Sequence, residues 1–283
     1  MVARADWKAR VEQQGLLWHT DDDGRETWNE QAAYLLSPAE VQRLCQAASE
    51  LAEMYHEAAE HVVKKNLWPL IGLQNHESEL IASSWKRREW SLHGRFDFLF
   101  DVQGCPRLLE YNAETALSLI ETAVIQKRWL GEVMPKHGQF NQLEESLVQA
   151  WRESGFKHVH CAWRPRHAEV EGTVSYMAQL MRRVGIQATM MAMHRMGWNS
   201  RDGSLWTRMG DRLRTVSNCI RGSGCCASRS RSEWRLRVVH SLNHPGACCW
   251  GAKESYACWL NCLATTRLSS PVEPRPTSLV RIL

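Results

Sequence analysis

Hydrophobic periodicity runs through roughly the first 206 residues of this 283-residue chain and then stops. Up to Trp206, apolar residues recur at steps of three and four or cluster in short strand-like runs, the patterns that let an element bury one face. Beyond Trp206, Arg, Ser and Cys follow one another without a period. A structureless stretch of that length is rare inside a globular domain. Composition breaks at the same place. Residues 207–283 hold eleven Arg and one Lys against four acids (Asp211, Glu233, Glu254 and Glu273), together with seven of the ten Cys. Set against the +4 of the whole chain, that excess of eight positive charges leaves residues 1–206 at about −4. Averages over the chain therefore describe neither part.

The front part is long enough to bury a real core. Its clearest helix spans residues 37–65. Ser37-Pro38-Ala39-Glu40 is a capping box with proline at the first helical position. Val41, Leu44, Ala48, Leu51, Tyr55, Ala58 and Val62 then form one apolar stripe, and His56 and His61 on this helix carry no functional weight. Arg95–Phe100 and Arg107–Tyr111 read as two strands around a turn, Asp101 to Pro106. Helical patterns follow at about 118–134 and 141–154. A strand at His158–Trp163, a helix at 171–184 and a strand at Gln187–Met193 make a β-α-β alternation, so the fold class is mixed α/β.

No run of about 18 apolar residues is present to suggest a membrane span. The opening Met-Val-Ala-Arg-Ala-Asp-Trp-Lys has no apolar stretch of signal-peptide length. A cytoplasmic protein without membrane contact is the expectation, and a secreted disulfide-rich module is disfavoured on the same ground.

The strand pair carries the candidate chemistry. If it closes symmetrically about its turn, facing residue numbers sum to 207. Asp97 then faces Glu110 and Arg95 faces Asn112. Residues two apart on a strand share a face, so all four side chains project to one side. Two facing carboxylates repel, which calls for a positive charge between them. A hard divalent cation suits a set of oxygen ligands, and magnesium accepts such a partial set while keeping water and phosphate oxygens. Arg95 would add a forked donor for a phosphoryl group. The same pattern also describes an ordinary surface hairpin with alternating charges.

The wording of these segments goes further. "GRFDFLFD" followed by "LLEYNAETALSLIETAV" resembles the glutathionylspermidine synthase family, including its standalone acid–amine ligases. "RADWKARVEQQGLLWHT", "SSWKRREWSLHGRFD", "QFNQLEESLVQAW" and "EGTVSYM" agree with it, so the resemblance covers residues 6 to about 206. It implies a pre-ATP-grasp front domain leading into an ATP-grasp fold. It also implies a reaction in which ATP phosphorylates a carboxylate and an amine displaces the phosphate. Asp97, Glu110 and Asn112 match the family's magnesium ligands, and Arg95 matches the arginine on the transferred phosphate. Thr115 and Ser118 match positions near a glutathione-like acid. Glu169 falls where acidic groups meet the peptide amine or a polyamine-like amine. Two departures stand out: Glu114 replaces the usual Asp, and Glu169 is followed by Val170 before Glu171. Spermidine is therefore one of several equally compatible amines.

The family's later motifs, "FKLYPWEWML", "EPPWK-LLSNKG" and "HPNLLPAYF", do not occur in residues 207–283. Each emerges when the codons are read one base earlier. Asn218 to Gly224 then permits Leu-Tyr-Pro-Trp-Glu-Trp, and Asn243 to Gly246 permits Glu-Pro-Pro-Trp. Ala247 to Trp250 permits Met-Leu-Leu, and Leu263 to Arg267 permits Gly-Asp-His-Pro. Four motifs in the right order at the right spacing identify residues from about 207 onward as an out-of-frame tail. The nucleotide-clamping half of the ATP-grasp fold is then incomplete and the chain is expected to be inactive. The alternative takes the tail as a genuine zinc- or nucleic-acid-binding segment. Against it, the adjacent pairs Cys225-Cys226 and Cys248-Cys249 are poor chelating pairs. No basic or aromatic periodicity offers a nucleic-acid surface.

Overall fold

The computed structural model describes residues 1–218, except 74, 89–90, 113–116, 164, 166, 200–203, 209, 211 and 214–215. The N-terminal segment begins with α1 (Trp7–Gln13), whose Trp7 and Val11 point into the core. Arg4 and Arg10 both bind Glu132, at 2.6 and 2.9 Å, which ties this segment to the distant helix α4 (Gln126–Val133).

Helix α2 (Pro38–Lys65) forms as its sequence dictates. The Ser37 side chain accepts from the Glu40 amide and the Glu40 carboxylate accepts from the Ser37 amide, so both orphan donors are satisfied. Asn66 ends the helix in the left-handed conformation at φ 53°, a geometry asparagine tolerates. Of the stripe, Leu44, Tyr55 and Val62 are buried, together with Ala59 next to Ala58. Helix α3 (Asn75–Lys86) packs back against α2, with the His56 and Trp85 rings 4.8 Å apart.

Strands β1 (Arg95–Phe100) and β2 (Pro106–Asn112) form the expected antiparallel hairpin. Their closure is not symmetric throughout. Asp97 pairs with Glu110, but Phe98 pairs with Leu108, so Leu109 is the extra residue of a bulge. The turn explains the shift. Asp101 and Cys105 close it through an Asp101 N–H to Cys105 carbonyl bond of 3.0 Å. The Asp101 carboxylate accepts from the amides of Gln103 (3.0 Å) and Cys105 (2.8 Å). That turn is one residue tighter than symmetric closure requires, so Pro106 opens β2 instead of lying in the loop. The bulge restores the spacing at the far end.

One aromatic face of the hairpin packs on α2. Phe96 stacks on Tyr111 at 4.2 Å between centroids, and the Tyr55 ring lies 4.7 Å from Tyr111. Gly94 belongs to this packing. A Cβ there would sit 2.6 Å from the Tyr111 ring edge, so only glycine lets the ring cross.

Strands β3 (His158–Trp163) and β4 (Gln187–Ala192) run parallel, joined by helix α6 (Ala168–Arg183), as the alternation implied. β8 (Val216–Asn218) adds to β3 in parallel on its other side. β5 (Met196–Asn199), β6 (Ser204–Thr207) and β7 (Arg212–Leu213) form a separate antiparallel sheet. Regular pairing thus continues to Asn218, and Leu213 is buried with Ala162 and Met191. Strands of two or three residues have no period that a sequence reading could detect. Residues 219–283, which carry all seven tail cysteines, lie outside the described residues.

The main core joins α6, β3, β4 and helix α5 (Leu143–Glu153) to the N-terminal segment and to the turn at 119–125. Val159, Cys161, Met177, Leu180 and Met181 are almost fully buried. The 119–125 turn includes a π-helical stretch, Glu121–Ile125, running into α4. Wide turns of this kind recur at functional sites. Among the described residues no helix is long and apolar enough to cross a membrane.

Candidate functional site

Alternation along β1 and β2 brings Arg95, Asp97, Glu110 and Asn112 to one side, with Arg95 opposite Asn112 and Asp97 opposite Glu110. The bulge at Leu109 leaves this end of the ladder in the register the spacing implies. Asp97 is only 3% exposed, whereas the Glu110 side chain is about half exposed.

The positive charge between the two carboxylates is Arg95. Its Nε donates to Asp97 Oδ1 at 2.7 Å and its Nη2 to Asp97 Oδ2 at 3.3 Å, a forked pair. Nη2 also lies 3.8 Å from Glu110 Oε1, and Nη1 donates to the Leu117 carbonyl at 3.2 Å. The facing acids therefore have a positive charge between them without a metal ion. The planar guanidinium reaches both carboxylates because it is longer than the strand spacing and forked at its end.

The donor set nevertheless suits magnesium. Glu110, Asp97 and Asn112 present hard oxygens only, and the Asn112 Nδ2 donates to Glu110 Oε1 at 2.9 Å, leaving its amide oxygen as the acceptor to offer. Among the described residues no three His, Cys, Asp or Glu groups converge on a metal position. A cation here would take part of its coordination from water and phosphate oxygens.

Ser118 and Glu169 join the same neighbourhood. The Ser118 amide donates to Glu169 Oε1 at 3.3 Å, and the Leu117 carbonyl just before it holds Arg95. Ser118 adopts φ 64°, a left-handed conformation uncommon for serine. That twist turns successive backbone groups toward different partners. Glu169 lies in the first turn of α6, where a carboxylate is favoured by the helix dipole. Burial pushes the Glu169 carboxyl above its ordinary range, opposed by the Ser118 amide, Arg95 and His167. Thr115 falls within 113–116, outside the described residues.

Sequence reasoning missed Glu121. It follows Ser118 by three residues, is 8% exposed, and accepts from the Trp18 indole Nε1 at 2.7 Å. Burial raises its carboxyl, opposed by hydrogen bonds from its own backbone amide and from Trp18; the Glu169 charge raises it further and Arg95 lowers it. The signal was a carboxylate flanked by apolar residues in Ser-Leu-Ile-Glu-Thr-Ala-Val, where helical periodicity calls for something apolar. Trp18 is held in turn by Gly172 of α6. Its ring lies where a Cβ on residue 172 would be, 2.6 Å from Cη2 and closer to Cζ3.

Between α2 and the hairpin lies a mainly apolar recess of about 250 Å³, with Leu44, Phe98, Leu117 and Phe140 in its wall and Arg95 and Ser118 in its lining.

The mixed α/β body is similar in fold to a glutathione synthetase-like protein. A glutathione synthetase-like effector (GSS30) from Globodera pallida, solved in its apo form, aligns with a TM-score of 0.55 at 12% identity. The alignment covers 88% of this chain and 62% of that one. The chain belongs to the family described as glutathionylspermidine synthase preATP-grasp, whose sequence pattern matches residues 1–220.

Curated relatives agree. A protein of Haemophilus influenzae named as an acid–amine ligase is 31% identical over 185 residues, 63% of this chain and 47% of that protein. The bifunctional glutathionylspermidine synthetase/amidase of Escherichia coli is 27% identical over 173 residues, 59% of this chain and 28% of that protein. The trypanothione synthetase of Crithidia fasciculata is 28% identical over 138 residues, 47% of this chain and 20% of that protein. The chain thus matches less than half the length of each of these relatives.

Proposed function

We infer that residues 1–206 are the front part of an ATP-dependent carboxylate–amine ligase acting through an acyl phosphate. The observation that carries this reading is the shared side of the hairpin, where Arg95 spans Asp97 and Glu110 with Asn112 beside them. A forked cation held in place by a buried carboxylate is preorganised to meet phosphoryl oxygens as charge moves onto them, and needs little rearrangement to do so. Asp97, Glu110 and Asn112 would hold magnesium, which when bound neutralises phosphate charge.

The acid would be glutathione-like, as the names of the relatives suggest, with Thr115 and Ser118 near it. The recess beside Arg95 would accommodate the apolar part of such a ligand. Glu169 would meet a cationic group on the amine side. ATP would supply the phosphoryl group, and in this family the lysines that clamp it lie beyond the point where the frame changes. The out-of-frame reading from about residue 207 therefore predicts a chain that lacks the nucleotide clamp and does not turn over. Its membrane-free, cytoplasmic setting and the absence of a nucleic-acid partner belong to the same proposal.

Two measurements test it. Resequencing the DNA around the Trp206 codon should show a one-base change of frame. ADP release with glutathione and spermidine should stay at background for the chain as written and appear in a frame-corrected version. There Asp97→Ala should abolish ligation. Turnover by the uncorrected chain would refute the truncation, and an active, frame-corrected Asp97→Ala enzyme would refute the role of the hairpin.

A further inference from the structure

The recess between α2 and the hairpin is larger than the apolar part of glutathione. It measures about 250 Å³ and is walled by Leu44 and Ala48 of α2, Phe98 of β1, and Leu117, Phe140 and Leu143. The apolar part of glutathione is the cysteine side chain, one methylene and a thiol. A cavity of about 150 Å³ lined by such residues already takes a benzene ring, and a water-sized group occupies about 30 Å³. The recess therefore has room for about eight such groups, far more than that side chain supplies. Space left over would cost its lining the contacts that a filling group provides.

The lining also defines what can enter. Thr122 turns its hydroxyl onto the Ser118 carbonyl at 2.8 Å. The ammonium group and second carboxylate of glutathione would lose their water against the leucine and phenylalanine walls, at a cost these residues do not offset. Only an apolar group gains by entering, and it would also cover Phe140, which stands 52% exposed. Arg95 is the lining residue suited to an anion. Its Nε and Nη2 are on Asp97 and its Nη1 on the Leu117 carbonyl, and a guanidinium has more donors than these three bonds use. Large apolar walls beside one cation suit a carboxylate that carries a bulky apolar group.

We propose that the acid substrate is a peptide-like carboxylate bearing a bulky apolar side chain that fills this recess, with its carboxylate at Arg95. This rests on the ligase reading and narrows the acid within it: glutathione, with its small side chain, fits the recess poorly. Leu44, Ala48, Phe98 and Phe140 then set specificity for the acid, while the polar side of the hairpin handles the phosphoryl group. The selection is by size, since a longer or aromatic side chain gains buried area that a thiol does not.

The test uses the full chain and two probes, S-benzylglutathione and S-methylglutathione, which share one peptide and differ in the size of the group on sulfur. Cys45 of α2 is a free, exposed thiol in the recess lining, and Cys105 in the hairpin turn is free and exposed outside it. Alkylation by iodoacetamide, followed cysteine by cysteine in a peptide mass map, therefore reads occupancy of the recess. S-benzylglutathione should slow Cys45 saturably and leave Cys105 unchanged. S-methylglutathione should need a concentration about tenfold to a hundredfold higher, the range expected for burying one more ring. Ala48→Trp fills the recess from α2 and should abolish the preference for the benzyl peptide. Phe140→Ala, at a half-exposed position that the fold tolerates, should reduce it. The proposal is overturned if the two peptides protect Cys45 at equal concentrations or if Cys45 and Cys105 are slowed alike. A folded Ala48→Trp chain, or a Phe140→Ala chain, that keeps the full preference would also overturn it. Protection is read without ATP or magnesium, so it is decided separately from the ligation assay that tests the parent reading.

Discussion

Gly172 stands in the interior of α6, where replacing glycine by alanine ordinarily stabilises a helix by about 1 kcal/mol. The opposite is expected here. The new methyl would fall 2.6 Å from Trp18 Cη2 and nearer still to Cζ3, far inside van der Waals contact. Trp18 cannot yield freely, because its indole is bound to the buried Glu121 carboxylate at 2.7 Å. Forcing an extra carbon into packed surroundings costs about 1–3 kcal/mol. Swinging the ring away strips a buried carboxylate oxygen of its donor, which costs about 1–3 kcal/mol more. After subtracting the helix gain, Gly172→Ala should destabilise the protein by about 1–5 kcal/mol. Urea unfolding of wild type, Gly172→Ala, Trp18→Ala and the double variant measures this. In the Trp18→Ala background the methyl meets open space, so the sign should reverse to a gain of about 1 kcal/mol. A Gly172→Ala protein at least as stable as wild type, or a cycle with no coupling between the two sites, would refute the reasoning.

Arg95→Met should destabilise the protein by about 3–5 kcal/mol, because it leaves the almost fully buried Asp97 charge without its forked partner. Pairing it with Asp97→Asn should recover much of that loss in denaturant titrations, and strict additivity would show that the pair is not coupled. Glu121→Gln should raise stability at neutral pH. Burial holds the folded-state carboxyl above its unfolded value, so the folded protein binds the extra proton between the two values and loses stability as pH rises through that window. The advantage of the glutamine variant should vanish below about pH 4, where the carboxyl is protonated in both states. Equal urea midpoints for the two proteins at pH 7 would contradict the assigned cause.

Much of the fold could be read in the chain's own pattern. The capping box and stripe located α2, the aromatic runs located β1 and β2, and the β-α-β alternation located β3, α6 and β4. These signals are local: a period of two or 3.6 residues and a cap are written within one element. Short pieces escaped. Helix α1 has seven residues and β7 two, too few for a period to rise above chance. The bulge at Leu109 escaped as well, since it depends on how tightly Asp101 closes the turn.

The candidate site divides along the same line. Parity along two strands was enough to place Arg95, Asp97, Glu110 and Asn112 on one side, because alternation is a property of the backbone. What lies between those carboxylates was decided by tertiary structure, which spends the Arg95 guanidinium on Asp97 and the Leu117 carbonyl. The meeting of Trp18, Glu121, Glu169 and Gly172 was likewise invisible in one dimension. Those residues come from three separate segments, and their burial and mutual charge exist only once the core has closed around them. Local sequence alone settled which charged residues share the hairpin's polar side, because strand alternation is set within each strand. Packing decided which carboxylates are desolvated, and desolvation is what raises a carboxyl above its ordinary range.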